Sequence, residues 1–272
     1  YSPILYTMSD DEMETPNVTG SLVIFFWLTF LYFFLRYMVV DKYMPLNADG
    51  QKTEDGEKKG GLGPLFTIFY FVLVIMSQMF INMKVTQSIC GDEIQTSTAM
   101  SATIIPNVII LGVVYIMLVL VPGWKSPFAN TFGYFAANIG GIRDVLNTLT
   151  NTNFEEKGEG SIVLKQNQIN IFKSIYKDPS QLINNITPEN FHKFLKTMRN
   201  IKYFKPSNEV NDRNVKQLYS LVVIKDLVSQ FIWYMLAGYL VITTTYDSLI
   251  NMKCQSSEAR LKKLAAKNEV KN

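Results

Sequence analysis

Four runs of the chain are almost purely apolar: SLVIFFWLTFLYFFLRYMVV (21–40), LGPLFTIFYFVLVIMSQMFINM (62–83), TIIPNVIILGVVYIMLVLVP (103–122) and LVSQFIWYMLAGYLVITTTY (227–246). The first carries one charge, Arg36, near its end. The second and third carry none, and the fourth is uncharged until Asp247. Each run holds roughly 20 residues, which at ~1.5 Å per residue spans a hydrocarbon layer about 30 Å thick. Buried helices of a water-soluble protein would interleave polar residues at helical spacing, and the second and third runs read as having no polar stripe. The pattern predicts four membrane spans, 21–40, 62–83, 103–122 and 227–250, the last the least apolar because of Thr243, Thr244 and Thr245.

Composition alone hides this. Of the 272 residues, 48% are hydrophobic and 18% charged, with a net charge of +3; the charges crowd into the segments between the runs. Residues 1–20 form an acidic N-terminal segment (SDDEMETP, 9–16), unlike the basic leader of a cleavable signal. Polar loops occupy 41–61 and 84–102, a long region runs from 123 to 226, and a basic tail closes the chain at 251–272. The tetrapeptide INMK ends two of the runs, a repeat too short to signify duplication. Lys42, Lys52, Lys58 and Lys59 fill the first loop, whereas the second offers only Lys84. The positive-inside rule then puts 41–61 and 123–226 on the cytosolic side, although the basic tail falls on the opposite side. That topology brings Cys90 and Cys254 to one non-cytosolic face, where an oxidising compartment permits a disulfide between them; two unrelated free thiols are the alternative. Of the sequons, Asn17-Val18-Thr19 lies beside the membrane and Asn185-Ile186-Thr187 on the cytosolic side.

The stretch VPGWKSPFANTFGYF (121–135) predicts a boundary device. Pro122 and Gly123 stop the third span, Trp124 and Lys125 suit the headgroup level, and Pro127 turns the chain. Apolar residues then recur at Phe132, Phe135, Ala136, Ile139, Ile142, Leu146 and Leu149, one face of a helix interrupted by Gly140-Gly141. Two readings stay open: an interfacial helix with Phe132 and Phe135 in the bilayer boundary, or a helix packed on the rest of 123–226. Further helices are expected over 161–177 and over 191–204, the latter opened by Thr187-Pro188-Glu189. Along 191–204 the cations Lys193, Lys196, Arg199 and Lys202 step by three, a basic patch facing lipid phosphate, an acidic protein, nucleic acid or solvent. Beyond Pro206 the pattern allows one helix continuous with the fourth span. The chain thus reads as an all-α integral membrane protein with about four transmembrane helices, an interfacial helix and a small basic helical domain.

Candidate chemistry is sparse. His192 is the sole histidine, the two cysteines are scattered, and no phosphate loop, dinucleotide fingerprint or nucleophile elbow occurs. No cofactor and no metal site are expected, and an enzyme is disfavoured. Transporters place ionisable groups inside their spans; here the intramembrane polar groups are Gln78, Asn107 and Thr243–Thr245, which equally serve as helix–helix glue.

The run PGWKSPFANTFGYFAANIGGIRDVLNTL (122–149), following an apolar helix, resembles a segment of multi-pass membrane proteins of nucleocytoplasmic large DNA viruses. The Pro-Gly-Trp turn, Asn-Thr-Phe-Gly at 130–133 and the amphipathic continuation carry the resemblance, which covers about a tenth of the chain. It implies a structural protein of the internal virion membrane, derived from host endoplasmic reticulum, that anchors capsid or minor capsid proteins or organises the membrane. Besides the lipid bilayer and such capsid partners, a homo-oligomer is compatible with the pattern, and no motif supports nucleic acid. The competing readings are a pore or transporter and an accessory subunit of an organellar membrane complex.

Overall fold

The structure is a computed structural model that describes residues 18–46, 51–90, 95–151, 179–252 and 254. The expected helix at 161–177, the acidic N-terminal segment before Val18, the sequon at Asn17 and the tail beyond Cys254 lie outside the described residues. The described chain is helical, with two isolated bridges, Leu46↔Lys52 and Thr150↔Phe204, and no strand. In order come α1 (Val18–Arg36), α2 (Glu54–Gly60), α3 (Leu62–Cys90), α4 (Thr96–Pro106), α5 (Gly112–Leu120), α6 (Ser126–Phe128), α7 (Tyr134–Ile139), α8 (Ile142–Leu149), α9 (Ser180–Asn185), α10 (Phe191–Asn200) and α11 (Glu209–Ile250). Among the described residues four helical stretches are long and apolar enough to cross a membrane: Val18–Asp41, Lys58–Cys90, Thr96–Leu120 and Glu209–Ile250. Two compact units divide the chain, one of Tyr1–Leu28, Phe71–Val113 and Leu236–Asn272, the other of Thr29–Tyr70 and Val114–Met235.

The helix α3 is polarised the opposite way from a helix of a water-soluble core. Along α3 the buried positions are Thr67, Tyr70, Val74, Gln78, Asn82 and Thr86, a stripe with one hydrocarbon side chain among six. Its outward face holds Leu65, Ile68, Phe69, Val72, Met76 and Phe80, each more than half exposed. The run read as lacking a polar stripe therefore has one. Thr and Tyr scarcely lower its hydropathy, and Gln78 and Asn82 fall four apart, on one side.

In the first unit this inward polarity forms a ladder of interhelical hydrogen bonds. Ser21 Oγ donates to Gln78 Oε1 at 3.0 Å, and Asn82 Nδ2 to Thr103 Oγ1 at 2.8 Å. Pro106 interrupts the third apolar helix chemically, because it has no N–H to offer the carbonyl of Ala102 four residues back. Thr245 Oγ1 donates to that carbonyl at 3.0 Å, so an adjacent helix supplies the missing bond. The chain continues through a π-helical turn, Asn107–Leu111, into α5. Cys90 and Cys254 are joined in a disulfide, with Cα atoms 5.5 Å apart across 164 residues of sequence.

In the second unit Tyr32 stacks on Tyr70 at 4.3 Å between ring centroids, with Tyr234 at 5.7 Å from Tyr70. The three rings are buried, and hydrogen bonds join Thr29 to Tyr70 and Tyr32 to Thr67, both at 2.9 Å. The smaller helices close on α11: Phe191 and Leu195 of α10 are buried, and the Phe191 ring meets Tyr219 edge-on at 5.1 Å. α10 ends at Asn200, earlier than the expected 204. Lys202 takes a left-handed conformation, φ 59°, with Tyr203 N–H bonding Met198 O and Lys202 N–H bonding Arg199 O, both at 2.9 Å. This is the Schellman closure, which glycine normally occupies without strain.

Two predictions follow from these local geometries. Thr245→Val should destabilise the protein by about 1–2 kcal/mol, but by much less when Pro106→Ala restores the helix's own bond; unfolding midpoints of the two singles and the double measure this coupling. Lys202→Gly should raise the midpoint, since a left-handed non-glycine residue costs about 1–2 kcal/mol; a lowered midpoint would contradict the assigned turn.

Candidate functional site: a buried ion-pair network beside a cavity

The turn after the third apolar helix is a short 3₁₀ segment, Pro122–Lys125, with proline at its first position. One face of α11 receives it. Asp226, Ser229, Gln230 and Trp233 recur at helical spacing, and three of them grip the turn: Ser229 Oγ donates to Lys125 O at 2.6 Å, Trp233 Nε1 to Trp124 O at 2.9 Å, and Asp226 accepts from Lys125 Nζ. The Trp124 and Trp233 rings stack at 5.6 Å. Gln230 Nε2 donates to Asp226 Oδ2 at 2.7 Å, fixing the carboxylate from its own helix.

Lys125 is the centre of the network. Only 6% of the residue is exposed, and its amine lies 2.8 Å from Asp226 Oδ1 and 2.8 Å from Glu189 Oε1. Burial works to push this amine down, yet Asp226 and then Glu189 outweigh it, and the amine is held above the ordinary lysine range. At Glu189 burial works upward, but the hydrogen bond and charge of Lys125 prevail and hold the carboxyl below the usual glutamate range. Lys125 was expected at the headgroups as a surface cation; instead it turns inward. Two carboxylates brought by distant parts of the chain compensate its desolvation.

Arg36 and Asp41 face the same space. A π-helical turn, Tyr37–Asp41, carries the chain out of α1, and its wider spacing brings the carboxylate back beside the guanidinium five residues earlier. Nε and Oδ2 are 2.9 Å apart, but the N–H does not point at the oxygen, so the pair is coulombic rather than an aligned hydrogen bond. Arg36 Nη1 donates to Tyr32 Oη at 3.0 Å. A further cation, Lys225, is 1% exposed and donates to Ile183 O at 2.8 Å and Asn184 O at 3.3 Å, the last carbonyls of α9, where a positive charge suits the helix dipole. Arg36, Lys125 and Lys225 thus balance Asp41, Glu189 and Asp226. Beside them opens a cavity of about 500 Å³ whose lining includes Arg36, Asp41, Lys125, Glu189, Tyr219 and Gln230. Among the described residues no group of three or more His, Cys, Asp or Glu is placed to hold a metal ion.

The other sequence-derived positions divide. Trp124, Phe132 and Phe135 are 43%, 59% and 64% exposed, on the outer side of the 3₁₀ segment, the π turn Ala129–Gly133 and α7. Those elements pack inward through Ala129, Gly133 and Ala137, and a Cβ at Gly133 would run into the backbone carbonyl of Lys225. Gly141, at φ 86°, then breaks the helix. Past it the former stripe turns inward, with Ile142, Leu146 and Leu149 each at most 1% exposed. One apolar face, kinked or loosened at Gly140-Gly141, was expected; the break divides it into an outward half and a buried half. In the basic patch Lys193, Lys196 and Lys202 are exposed. Arg199 is half-buried and pairs with Asp212 at 2.9 Å, which Ser207 also bonds. Arg199 therefore contributes no free charge, and Lys202 sits past the helix end. The stripe Asp226, Ser229, Gln230, Trp233 was the overlooked signal: the polar members of an otherwise apolar run fall on one helical face.

Removing one partner of the network strands a buried charge. Lys125→Met should cost about 3–5 kcal/mol, and Lys125→Met with Asp226→Leu should recover most of it. Glu189→Gln should cost at most about 1 kcal/mol, because that carboxylate is 54% exposed. Lys125, raised in the fold, contributes fully at neutral pH and loses its contribution as pH climbs beyond the lysine range. Glu189, lowered, loses its contribution as pH falls through the acidic carboxylate range. Thermal unfolding in detergent, followed by near-UV circular dichroism across pH, reads both limbs. In comparisons with protein-family models, curated proteins and solved structures, the chain matches none.

Proposed function

We propose that this chain is an integral membrane protein with a structural role, fastening an assembly on one membrane face to the bilayer. One observation carries the reading. α11 runs unbroken for 42 residues, about 63 Å at ~1.5 Å per residue and twice the ~30 Å hydrocarbon layer. Its first part, beginning Glu209, Asp212 and Arg213, is polar and carries α10 through the Arg199–Asp212 pair and the Phe191–Tyr219 contact. Its later part is the apolar run 227–246. A helix of this kind carries force between bilayer and extramembrane surface without a flexible joint. The inside-out polarity of α3 supports membrane embedding, since outward apolar rows of that extent are uncommon on water-soluble monomers.

The resemblance of residues 122–149 directs the proposal to the internal membrane of a large DNA virus, with capsid or minor capsid proteins as the partners of the 123–226 region. Lys193, Lys196 and Lys202, exposed in this region, are the natural cross-linking handles. In virions purified from infected cells, amine-reactive cross-linking should join these lysines to capsid-layer proteins, and carbonate washing should leave the chain in the membrane fraction. Virions that lack the chain, or cross-links confined to the chain itself, would refute the capsid assignment. Release by carbonate would refute the membrane one. The cavity and its charges favour a second reading, transport; reconstituted liposomes carrying the chain should show no flux of ions or small solutes above empty controls if the structural role holds.

A further inference from the structure

The cavity beside Arg36 and Asp41 has a composition that the ion-pair network alone does not require. All of its lining belongs to the second compact unit. One part is polar: Arg36, Asp41, Glu189, Gln230 and Tyr219. The other is hydrocarbon: Val40, Pro64, Leu118, Val119 and Pro122. The hydrocarbon part has a common position. Val40 lies at the end of the first apolar stretch, Pro64 near the start of the second, and Leu118, Val119 and Pro122 at the close of the third. Such ends are where a bilayer passes from acyl chains to headgroups. At about 500 Å³, the space falls within the ~300–1,000 Å³ of small-ligand sites and far exceeds the ~30 Å³ share of one water.

Its charges restrict the occupant. Lys125 is committed to Asp226 and Glu189. Arg36 has five donors in its fork; Nη1 serves Tyr32 and Nε lies beside Asp41, which leaves Nη2 for an anionic oxygen. Asp41 Oδ2 is buried 2.9 Å from Arg36 Nε without an aligned hydrogen bond among the described residues, so it retains lone-pair capacity for a cationic donor. Tyr115 and Tyr219 also border the space, and aromatic faces attract ammonium groups; the Tyr43 ring already carries Lys59 Nζ, 3.4 Å from its centroid. A purely anionic ligand would meet two carboxylates, Asp41 and Glu189; a ligand bearing both signs matches the charges of the lining.

We propose that this cavity seats the headgroup of a zwitterionic phospholipid, its phosphate toward Arg36, its amine toward Asp41 and the tyrosines, and its acyl chains leaving past Leu118 and Val119. The site rests on the membrane reading above, which carbonate extraction tests separately. The full chain, purified in mild detergent, should retain about one phosphatidylethanolamine or phosphatidylcholine in native mass spectrometry. Added phosphatidylethanolamine should raise its unfolding midpoint, phosphatidylglycerol should not, and glycerophosphoethanolamine, the headgroup without chains, should bind at least tenfold more weakly. Asp41→Asn should lose retention at least tenfold. Gly63→Leu gives an arm independent of the charges: a Cβ there meets only Val40 Cγ1 at 3.9 Å, so the leucine enters the cavity without disturbing the network. It should fold with an unchanged or higher lipid-free midpoint and lose lipid retention at least tenfold. Undiminished retention in Gly63→Leu, equal binding of phosphatidylglycerol, equal binding of the chain-free headgroup, or absence of any retained phospholipid would each overturn the proposal.

Discussion

A lysine amine withdrawn from water between two carboxylates is the constraint on which the second compact unit depends. Alone, Lys125 or Asp226 would cost several kcal/mol to bury; Glu189 joins them from a half-exposed position. Together they fasten three pieces of chain far apart in sequence: the turn at 122–125, the approach to α10 at Glu189, and the middle of α11 at Asp226. Hydrogen bonds from Ser229 and Trp233 to the turn's carbonyls give the pair its geometry, so the turn can seat in one register only. The inward packing of Gly133 on Lys225 follows from that register, because only the one-turn α6 separates the π turn from the 3₁₀ segment. The exposed side of Phe132 and Phe135 is then fixed by what lies opposite, not by an apolar periodicity of its own.

This explains which features were legible in the sequence. The four apolar helices announce themselves through composition over some twenty residues, a signal that neighbours cannot disguise. The stop at Pro122-Gly123 and the break at Gly140-Gly141 rest on backbone chemistry intrinsic to those residues, and both are found where expected. The inward turn of Lys125 was not legible because its partners are residues 64 and 101 positions away, and its immediate neighbours, Trp124 and Pro122, suit a membrane surface equally well. Arg199 was misplaced for the same reason, its partner Asp212 lying beyond the end of the helix. The helical period over 132–149 was read correctly as a period; its division into two faces needed the left-handed turn at Gly141.

The buried stripe of α3 shows a different kind of illegibility. Hydropathy ranks Thr and Tyr close to neutral, so a row of Thr67, Tyr70, Gln78, Asn82 and Thr86 leaves a twenty-residue window strongly apolar. In an aqueous protein the hydrophobic side of a helix marks its interior. Where the surroundings are hydrocarbon that rule loses its force, and the interior is marked by whichever groups need hydrogen-bond partners. Thr245, lending its hydroxyl to the carbonyl that Pro106 leaves bare, is the clearest instance: the proline would be a defect in one helix, and the neighbouring helix makes it a point of recognition.

The link between Cys90 and Cys254 carries a temporal meaning. Its two sulfurs come from the end of α3 and from the residues just past α11, so everything between them must be synthesised, and the final helix threaded, before the thiols can meet. Closure therefore records that both ends of the link have been made and brought together. A chain in which the end of α11 has not come beside the end of α3 keeps Cys90 as a free thiol, and is marked chemically as unfinished.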